Sequence, residues 1–385
     1  MSPASNLEPS FAPPAESYLQ LFWRFLRFGL LAWGGPTAQI AMIRQELVEE
    51  EHWISRERFN RVLAVYQALP GPEAHELCVY FGMIARGRLG AILAGMGFML
   101  PGLCLMLLLS WFYVTYGLQS PLFARVLYGF QAAVAALIVR AIHRIGSHAL
   151  TNRWLWVIAL AVFGAQLLGL SFWITLSLAG AAYTLIQRRA LAPNLLGWSV
   201  PFLTLAPTTL ALPTVLALFG YGLRSGLLTF GGAYTAIPFL QYDAVVAGGW
   251  MTNQQFLDGL ALSSILPAPL IIFSTFVGYL GGGPWGALAM TAGVFLPAFA
   301  FTLIGHTYFE KVIDNPATHA FLDGLTAGVV GLIAATTIGL MPAALPDWPA
   351  ALIFLMALIT LYRWQAKWAV AVVMFGAGIL GLIFH

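Results

Sequence analysis

Two arginines, Arg27 and Arg224, each stand seven residues before a glycine pair, Gly34–Gly35 in one case and Gly231–Gly232 in the other. Further along each stretch come two prolines one residue apart, Pro70–Gly71–Pro72 and Pro267–Ala268–Pro269. Proline removes a backbone donor and clashes with the preceding turn, so these residues break any helix that contains them. A helix that restarts after Gly35 or Pro72 leaves its first amides unpaired and points the positive end of its dipole at the break. Such an end accepts anions. A guanidinium seven residues before the break lies nearly two turns away, about 10 Å along the same face, and guanidinium and amide groups suit the oxygens of a tetrahedral dianion. Gln67, three residues before Pro70, and its counterpart Ser264 can donate to an oxyanion from the end of the broken helix. The expected substrate-binding set is therefore Arg27, Gly34, Gly35, Gln67, Pro70, Gly71, Pro72, Arg224, Gly231, Gly232, Ser264, Pro267 and Pro269. A plainer reading stands beside it: glycine and proline serve close packing and kinks in membrane helices, and Arg27 and Arg224 snorkel to the interface.

Three carboxylates are candidates for carrying protons. Glu46 and Asp243 follow the glycine pairs at equal spacing, and Glu73 directly follows Pro72. A buried carboxylate can hold a proton; the alternatives are a polar face at the interface for the first two and a helix cap for Glu73. His75 and Glu76 complete an EAHE cluster, but no HExxH or other helical ligand spacing accompanies it, so no metal site is expected. Cys78 and Cys104 sit in apolar surroundings and read as packing residues. No cofactor and no catalytic residue is expected.

The elements that must hold these residues are membrane helices. Of the 385 residues, 60% are hydrophobic and 9% charged, with a mean hydropathy of +0.82, against about a quarter charged in a soluble domain. Apolar runs such as 91–116, 154–186 and 369–384 approach the length of bilayer spans, about 20 residues. Residues 1–17 are polar and proline-rich and read as a disordered tail, without the pattern of a cleaved signal peptide. Nothing suggests nucleic-acid binding; membrane lipids are the surroundings, and a homodimer is compatible with the chain.

Sliding the sequence by 197 residues superimposes residues 21–72 on 218–269 with 18 of 52 positions identical. Arg27 falls on Arg224, Glu46 on Asp243, Trp53 on Trp250, and the glycine pairs and prolines on each other. The chain is a duplication, with halves at about 18–190 and 191–385. Matched broken helices in duplicated membrane units mark secondary transporters, whose site lies at the repeat interface. Basic residues on alternate loops (Arg86 and Arg88; Arg140, Arg144 and Arg153; Arg188 and Arg189; then Lys311, Arg363 and Lys367) mark cytoplasmic ends by the positive-inside rule. On that count the segment 82–90 is inside and its mate 278–286 outside, so the halves are expected to be inverted. The fold class is an all-α polytopic membrane protein of two inverted repeats, about five spans each, with broken or re-entrant half-helices; twelve spans remain an alternative. Five spans per half put the N-terminus outside, against the sense of Arg24 and Arg27.

The stretches FGLLAWGGPTAQIAMI, QALPGPEA, TFGGAYTAIPFLQ, FLDGLALSSILPAP and GVFLPAF resemble the chromate ion transporter family over about residues 20–340. The resemblance implies a multi-pass inner-membrane protein of bacteria or archaea that exports chromate, confers resistance and is driven by the proton gradient, with sulfate as the isosteric competitor. The chain departs from the family pattern at Gln39 (a histidine expected), Ser264 (a glutamine expected) and Ala268 (a glycine expected). From residues alone the reading stops at an anion transporter, with a passive anion channel and an intramembrane enzyme built on Glu73, His75 and Glu76 as the rivals.

Overall fold

The computed structural model describes residues 11–33, 35–187, 214–313, 316–364, 366 and 368–384. Gly34, the boundary near residue 190, Arg188, Arg189 and Lys367 lie outside that set, as does most of the expected tail. The described residues contain helices and no strand. In the first half these are α1 (Tyr18–Leu30), α2 (Gly35–Arg44), α3 (Arg56–Ala68), α4 (Glu73–Thr115), α5 (Pro121–Ala149), α6 (Arg153–Leu167) and α7 (Phe172–Ile186). The second half has α8 (Val215–Leu227), α9 (Ile237–Gln241), α10 (Asn253–Ser264), α11 (Phe273–Ile313), α12 (Pro316–Ala344), α13 (Trp348–Arg363) and α14 (Ala369–Phe384). Stretches long and apolar enough to cross a bilayer occur in α4, α5, α11 and α12, and the shorter apolar helices α6, α7, α8, α13 and α14 accompany them.

Local sequence sets the helix starts. Ser17 caps α1 in a reciprocal box with Gln20, and Thr252 caps α10 in the same way with Gln255. Ser55 accepts from the Arg58 amide at the start of α3. Each hydroxyl satisfies one of the donors that a helix start leaves open.

The longest helices are folded back on themselves. In α4 the chain leaves helical geometry at Arg86 (φ −143°, ψ 25°) and Gly87 (φ 64°, ψ −155°). Gly82 then lies directly against Gly90, and His75 reaches Phe98, so two antiparallel arms run 73–86 and 87–115. In α11 the reversal comes at Gly283 (φ 62°), with Gly278 against Gly286. Gly87 and Gly283 are repeat mates, and each supplies a left-handed conformation that other residues adopt only with strain.

The first arms of α4 and α11 begin at the Pro-x-Pro breaks, so they are half-helices. The start of α1 consequently shares an end of the bundle with the 82–90 turn: Arg86 donates to the Glu16 carbonyl at 2.5 Å and stacks over Tyr18. This corrects the opposite-face placement that a count of five full spans gave. The chain runs in along α1 and comes back to the same end, where Arg24 meets Glu51 and Arg58 donates to Tyr80.

Close helix contacts hold each half together internally. Gly97 on the second arm of α4 leaves room for the Phe22 carbonyl of α1, and its mate Gly293 on α11 leaves room for the Phe219 carbonyl of α8. Small residues let backbones approach in this way. Gly293→Ala is expected to destabilise the protein by about 1–3 kcal/mol through overpacking. Gly164→Ala, on open helix α6 with nothing within 4 Å, should be neutral or stabilise by up to about 1 kcal/mol. Thermal unfolding in detergent reads both.

Candidate functional site

All four breaks are present as interruptions of helix. Gly35 (φ 78°) opens α2, and Pro72 precedes α4 with Gly71 at φ 156°. Gly231 (φ 75°) and Gly232 (φ 113°) precede a 3-10 turn, 233–236, that leads into α9. Pro269 precedes a second 3-10 turn, 270–272, that leads into α11. The breaks are joined across the repeat. The Gly71 amide donates to the Thr229 carbonyl at 2.8 Å, linking the Pro-Gly-Pro of one half to the strand of chain before the glycine pair of the other. The repeat mate of Thr229 is Ala32, whose carbonyl instead accepts from the Gln39 side chain at 3.0 Å. Gln39, one of the departures from the family pattern, is thus buried and structural.

Two cavities adjoin at these breaks, one of about 590 Å³ and one of about 600 Å³. Pro36, Thr37 and Arg144 line both. The first is bounded by Gly35 and the start of α2, by Ser263 and Ser264 at the end of α10, by Tyr234, and by Arg140 and His143 of α5. The second is bounded by Gln67, Glu73, Gly231, Gly232, His148, His319 and Asp323. Of the expected site residues the structure therefore brings Gly35, Gln67, Glu73, Gly231, Gly232 and Ser264 to the cavity walls. Pro70, Gly71, Pro72, Pro267 and Pro269 are buried behind those walls.

Arg27 and Arg224, expected beside the anion, are engaged elsewhere. Arg27 pairs with Glu46 and Arg224 with Asp243. These are the same pair twice, because 27 and 46 shifted by 197 give 224 and 243. Each ion pair ties the helix before a glycine break to a π-helical turn after it, Gln45–Glu50 or Tyr242–Ala247. The π-turns are duplicated as well. Glu46 also meets Arg24, which bonds Glu16 and Glu51 and lies over Trp53. In the first half the clamp is solvated, with the Arg27 side chain 54% exposed; in the second it is buried, at 4% for Arg224 and 0% for Asp243. Arg224 also lies between the rings of Trp173 and Tyr221.

The cations on the cavity walls come from α5 and were read in the sequence as loop residues. A loop was expected there, whereas α5 continues through both arginines to Ala149. Arg140 and Arg144 are one turn apart on the face that also presents Leu137 and Ala141 to the first cavity; the i, i+4 spacing was the available signal. Arg144 donates to the Thr37 hydroxyl at 3.4 Å, and it is the cation whose field reaches Glu73. Thr37 keeps its own proton free to donate into the cavity.

Below Gly71, Glu76 is fully buried, and its carboxyl oxygens have no hydrogen-bond partner among the described residues. His75 packs beside it against Phe295 and Phe299, with ring centroids 4.9 and 4.8 Å away. No group of three or more metal-ligating side chains occurs among the described residues. Both cysteines are free, Cys78 buried and Cys104 exposed. The wall of the first cavity offers guanidinium groups, hydroxyls and the start of α2, groups that can hold a dianion, and the second adds the carboxyls of Glu73 and Asp323.

A family model described as chromate transporter matches residues 19–185 and 216–382, one copy in each half. A chromate transport protein of Pseudomonas aeruginosa is 54% identical over all of this chain and 96% of its own length. A probable chromate transport protein of Synechococcus elongatus is 33% identical, covering 96% of both chains. One from Cupriavidus metallidurans, a chromate transport protein, is 31% identical over 97% of this chain and 94% of its own. No solved structure matches.

The clamps yield a direct test. Removing one partner of a buried ion pair leaves the other charged and uncompensated, so Asp243→Ala should cost about 3–5 kcal/mol. Arg27→Ala, in the solvated copy, should cost no more than about 1 kcal/mol. Equal losses in chemical or thermal unfolding would show that the two copies are not held differently.

Proposed function

The chain belongs to the chromate transporter family, and on that premise we propose that it is a secondary carrier that exports a tetrahedral dianion, chromate, from the cytoplasmic face of the inner membrane. The observation that carries the reading is the basic space at the breaks: Arg140 and Arg144 line the cavity at Gly35 and the start of α2, and Arg144 also lines the adjoining one at Gly231 and Gly232. Guanidinium groups bind such oxyanions through paired hydrogen bonds, and helix starts add amides. A binding site at the repeat interface is also where secondary carriers place their substrate. Sulfate, with the same shape and charge, is the competitor.

Sidedness and inversion rest on charge and on the shared ends. The Arg86–Gly87 turn and the basic end of α5 fall on the side marked cytoplasmic by the positive-inside rule. The mate turn at Gly283 belongs to helices entering from the other end, as a pair of oppositely oriented repeats requires. Cysteines introduced by Arg88→Cys and Gly282→Cys should then react from opposite faces of oriented vesicles. Reaction from the same face would remove the inverted arrangement.

Glu73 supplies the proton coupling in this reading. Two arginine charges balance a dianion, and an ionised Glu73 in the same cavity competes with it for Arg144. Anion binding therefore favours protonated Glu73, and by reciprocity the proton favours the anion. The sign follows: chromate affinity falls as pH rises through the titration of Glu73. Efflux takes its drive from the interior-negative potential, which releases about 2.3 kcal/mol per charge per 100 mV, and it would protect a cell exposed to chromate.

Arg144→Ala should weaken chromate binding by on the order of 2–5 kcal/mol, the range for truncating a partner of a desolvated charge pair, in equilibrium binding to purified protein. Glu73→Gln should bind chromate with nearly pH-independent affinity. Uptake by everted vesicles, with protein levels matched, tests the direction. Wild-type affinity in Arg144→Ala would take the anion away from this cavity, and an unchanged pH response in Glu73→Gln would return Glu73 to the role of a helix cap.

A further inference from the structure

Helices α5 and α10 each run between two cavities. At one end Arg140, Ala141, Ser263 and Ser264 line the basic space already described. At the other end the same helices present Leu127, Gln131, Gln255 and Asp258 to a third cavity of about 310 Å³, closed by Tyr113 and Gly117 at the far end of α4. Along α10, Asp258 and Ser263 are about 7.5 Å apart in axial rise and lie on different faces of the helix, so α10 itself stands between the two cavities. Across this septum three buried side chains from three helices are tied together. The Tyr113 hydroxyl donates to one oxygen of Asp258 at 2.8 Å, and the Gln131 amide donates to the other at 2.6 Å. Their exposures are 1%, 3% and 4% for Tyr113, Gln131 and Asp258.

We propose that Asp258, held by Tyr113 and Gln131, is the far-side gate of the transport path and that a proton taken up from the 310 Å³ cavity opens it. The proposal rests on the carrier reading above. The ionised carboxylate closes the path in two ways: it accepts both hydrogen bonds, and it sets a negative charge in front of a departing anion. Protonation at either oxygen removes the charge and weakens both bonds, because hydrogen bonds to charged groups are the stronger ones. The proton comes from water in the far-side cavity and returns there. Asp258 lies in FLDGLALSSILPAP, and its repeat mate is Arg61, so the gate belongs to one half only.

The ionisable surroundings leave Asp258 as the responsive group. The second arm of α4 brings Tyr113, already bonded to it. Helix α5 carries Arg125 and Tyr128 on earlier turns, and Tyr128 bonds Asp347. Helix α11 packs through Phe273 and Phe276, the latter 4.9 Å from the Tyr113 ring, with Tyr279 further along. On α12 the ionisable residues are His319 and Asp323, at the basic cavities, and α14 has none.

The test follows a thiol past the septum. Ser264→Cys is placed in a Cys104→Ser background and treated with a membrane-impermeant maleimide from either face of oriented vesicles. Leu118→Cys, on the far-side cavity wall, gives the reference rate at each pH. With Asp258 intact, Ser264→Cys should react from the basic-cavity face, and its far-side rate relative to the reference should rise as pH falls. Adding Asp258→Asn should raise the far-side rate about tenfold at neutral pH and abolish its pH response. Tyr113→Phe, which keeps the carboxylate, should give a smaller rise and keep the response. Far-side rates unchanged by both substitutions would overturn the gate. The labelling needs no chromate, and chromate transport is read separately on the chain with Ser264 intact: the expected labelling beside a Ser264 chain that moves no chromate keeps the gate and removes the substrate reading, while chromate transport without the expected labelling does the reverse.

Discussion

A broken helix at membrane depth has amides that lipid cannot satisfy. Each unpaired group costs several kcal/mol there, so irregular backbone survives only inside protein or against a watered cavity. This constraint organises the molecule. Four breaks, two per half, are gathered at one interface, where the Gly71 amide finds Thr229 and the Ala32 carbonyl finds Gln39. The donors left over face the two basic cavities. The arms that flank the breaks must be held against the rest of the bundle, and the paired clamps Arg27–Glu46 and Arg224–Asp243 do that work at the π-turns.

The two halves keep the same skeleton and have diverged in chemistry. The clamp of the first half is wet and that of the second is dry. Glu73 stands in the first half where the second, at the same offset of 197, has Leu270. Asp258 stands in the second where the first has Arg61. A symmetric skeleton can present its site alternately to either side, but a cycle that moves an anion one way needs groups that respond differently at the two ends. The carboxylates without repeat mates are the asymmetric ones.

Much of the skeleton was legible in the sequence, because duplication repeats its unusual residues at a fixed offset. Gly35, Gly231, Gly232 and the paired prolines all sit at helix breaks, where the pattern places them. Arg27 and Arg224 were legible as a pair, and so were Glu46 and Asp243. That each arginine takes its own carboxylate was not, since the partners are 19 residues apart and meet only because the chain doubles back at the glycines. The cavity arginines were missed for a different reason. Arg140 and Arg144 look like a positive-inside loop, and only the extra turns of α5 swing them onto the wall. The reversal at Gly87 was legible, because Arg86 and Arg88 mark a basic loop end in the middle of an apolar stretch.

The charge map then constrains how a dianion can cross. On the proposed path it enters a space where Arg140 and Arg144 would replace its water and where helix starts would add partial positive charge. Moving 7.5 Å further along α10 takes it from two cations to a carboxylate, an uphill step in a medium that screens poorly. Lowering that barrier requires either a neutral Asp258 or a rearrangement that carries the arginines with the ion. Rigid rocking of one repeat against the other moves α5, which bears both arginines, relative to α10, which bears Asp258. The breaks are the natural hinges, since glycine at positive φ and the unpaired turns beside it can change dihedral angles without losing helical hydrogen bonds. The same constraint that forces the breaks together therefore leaves the path able to open on one side at a time.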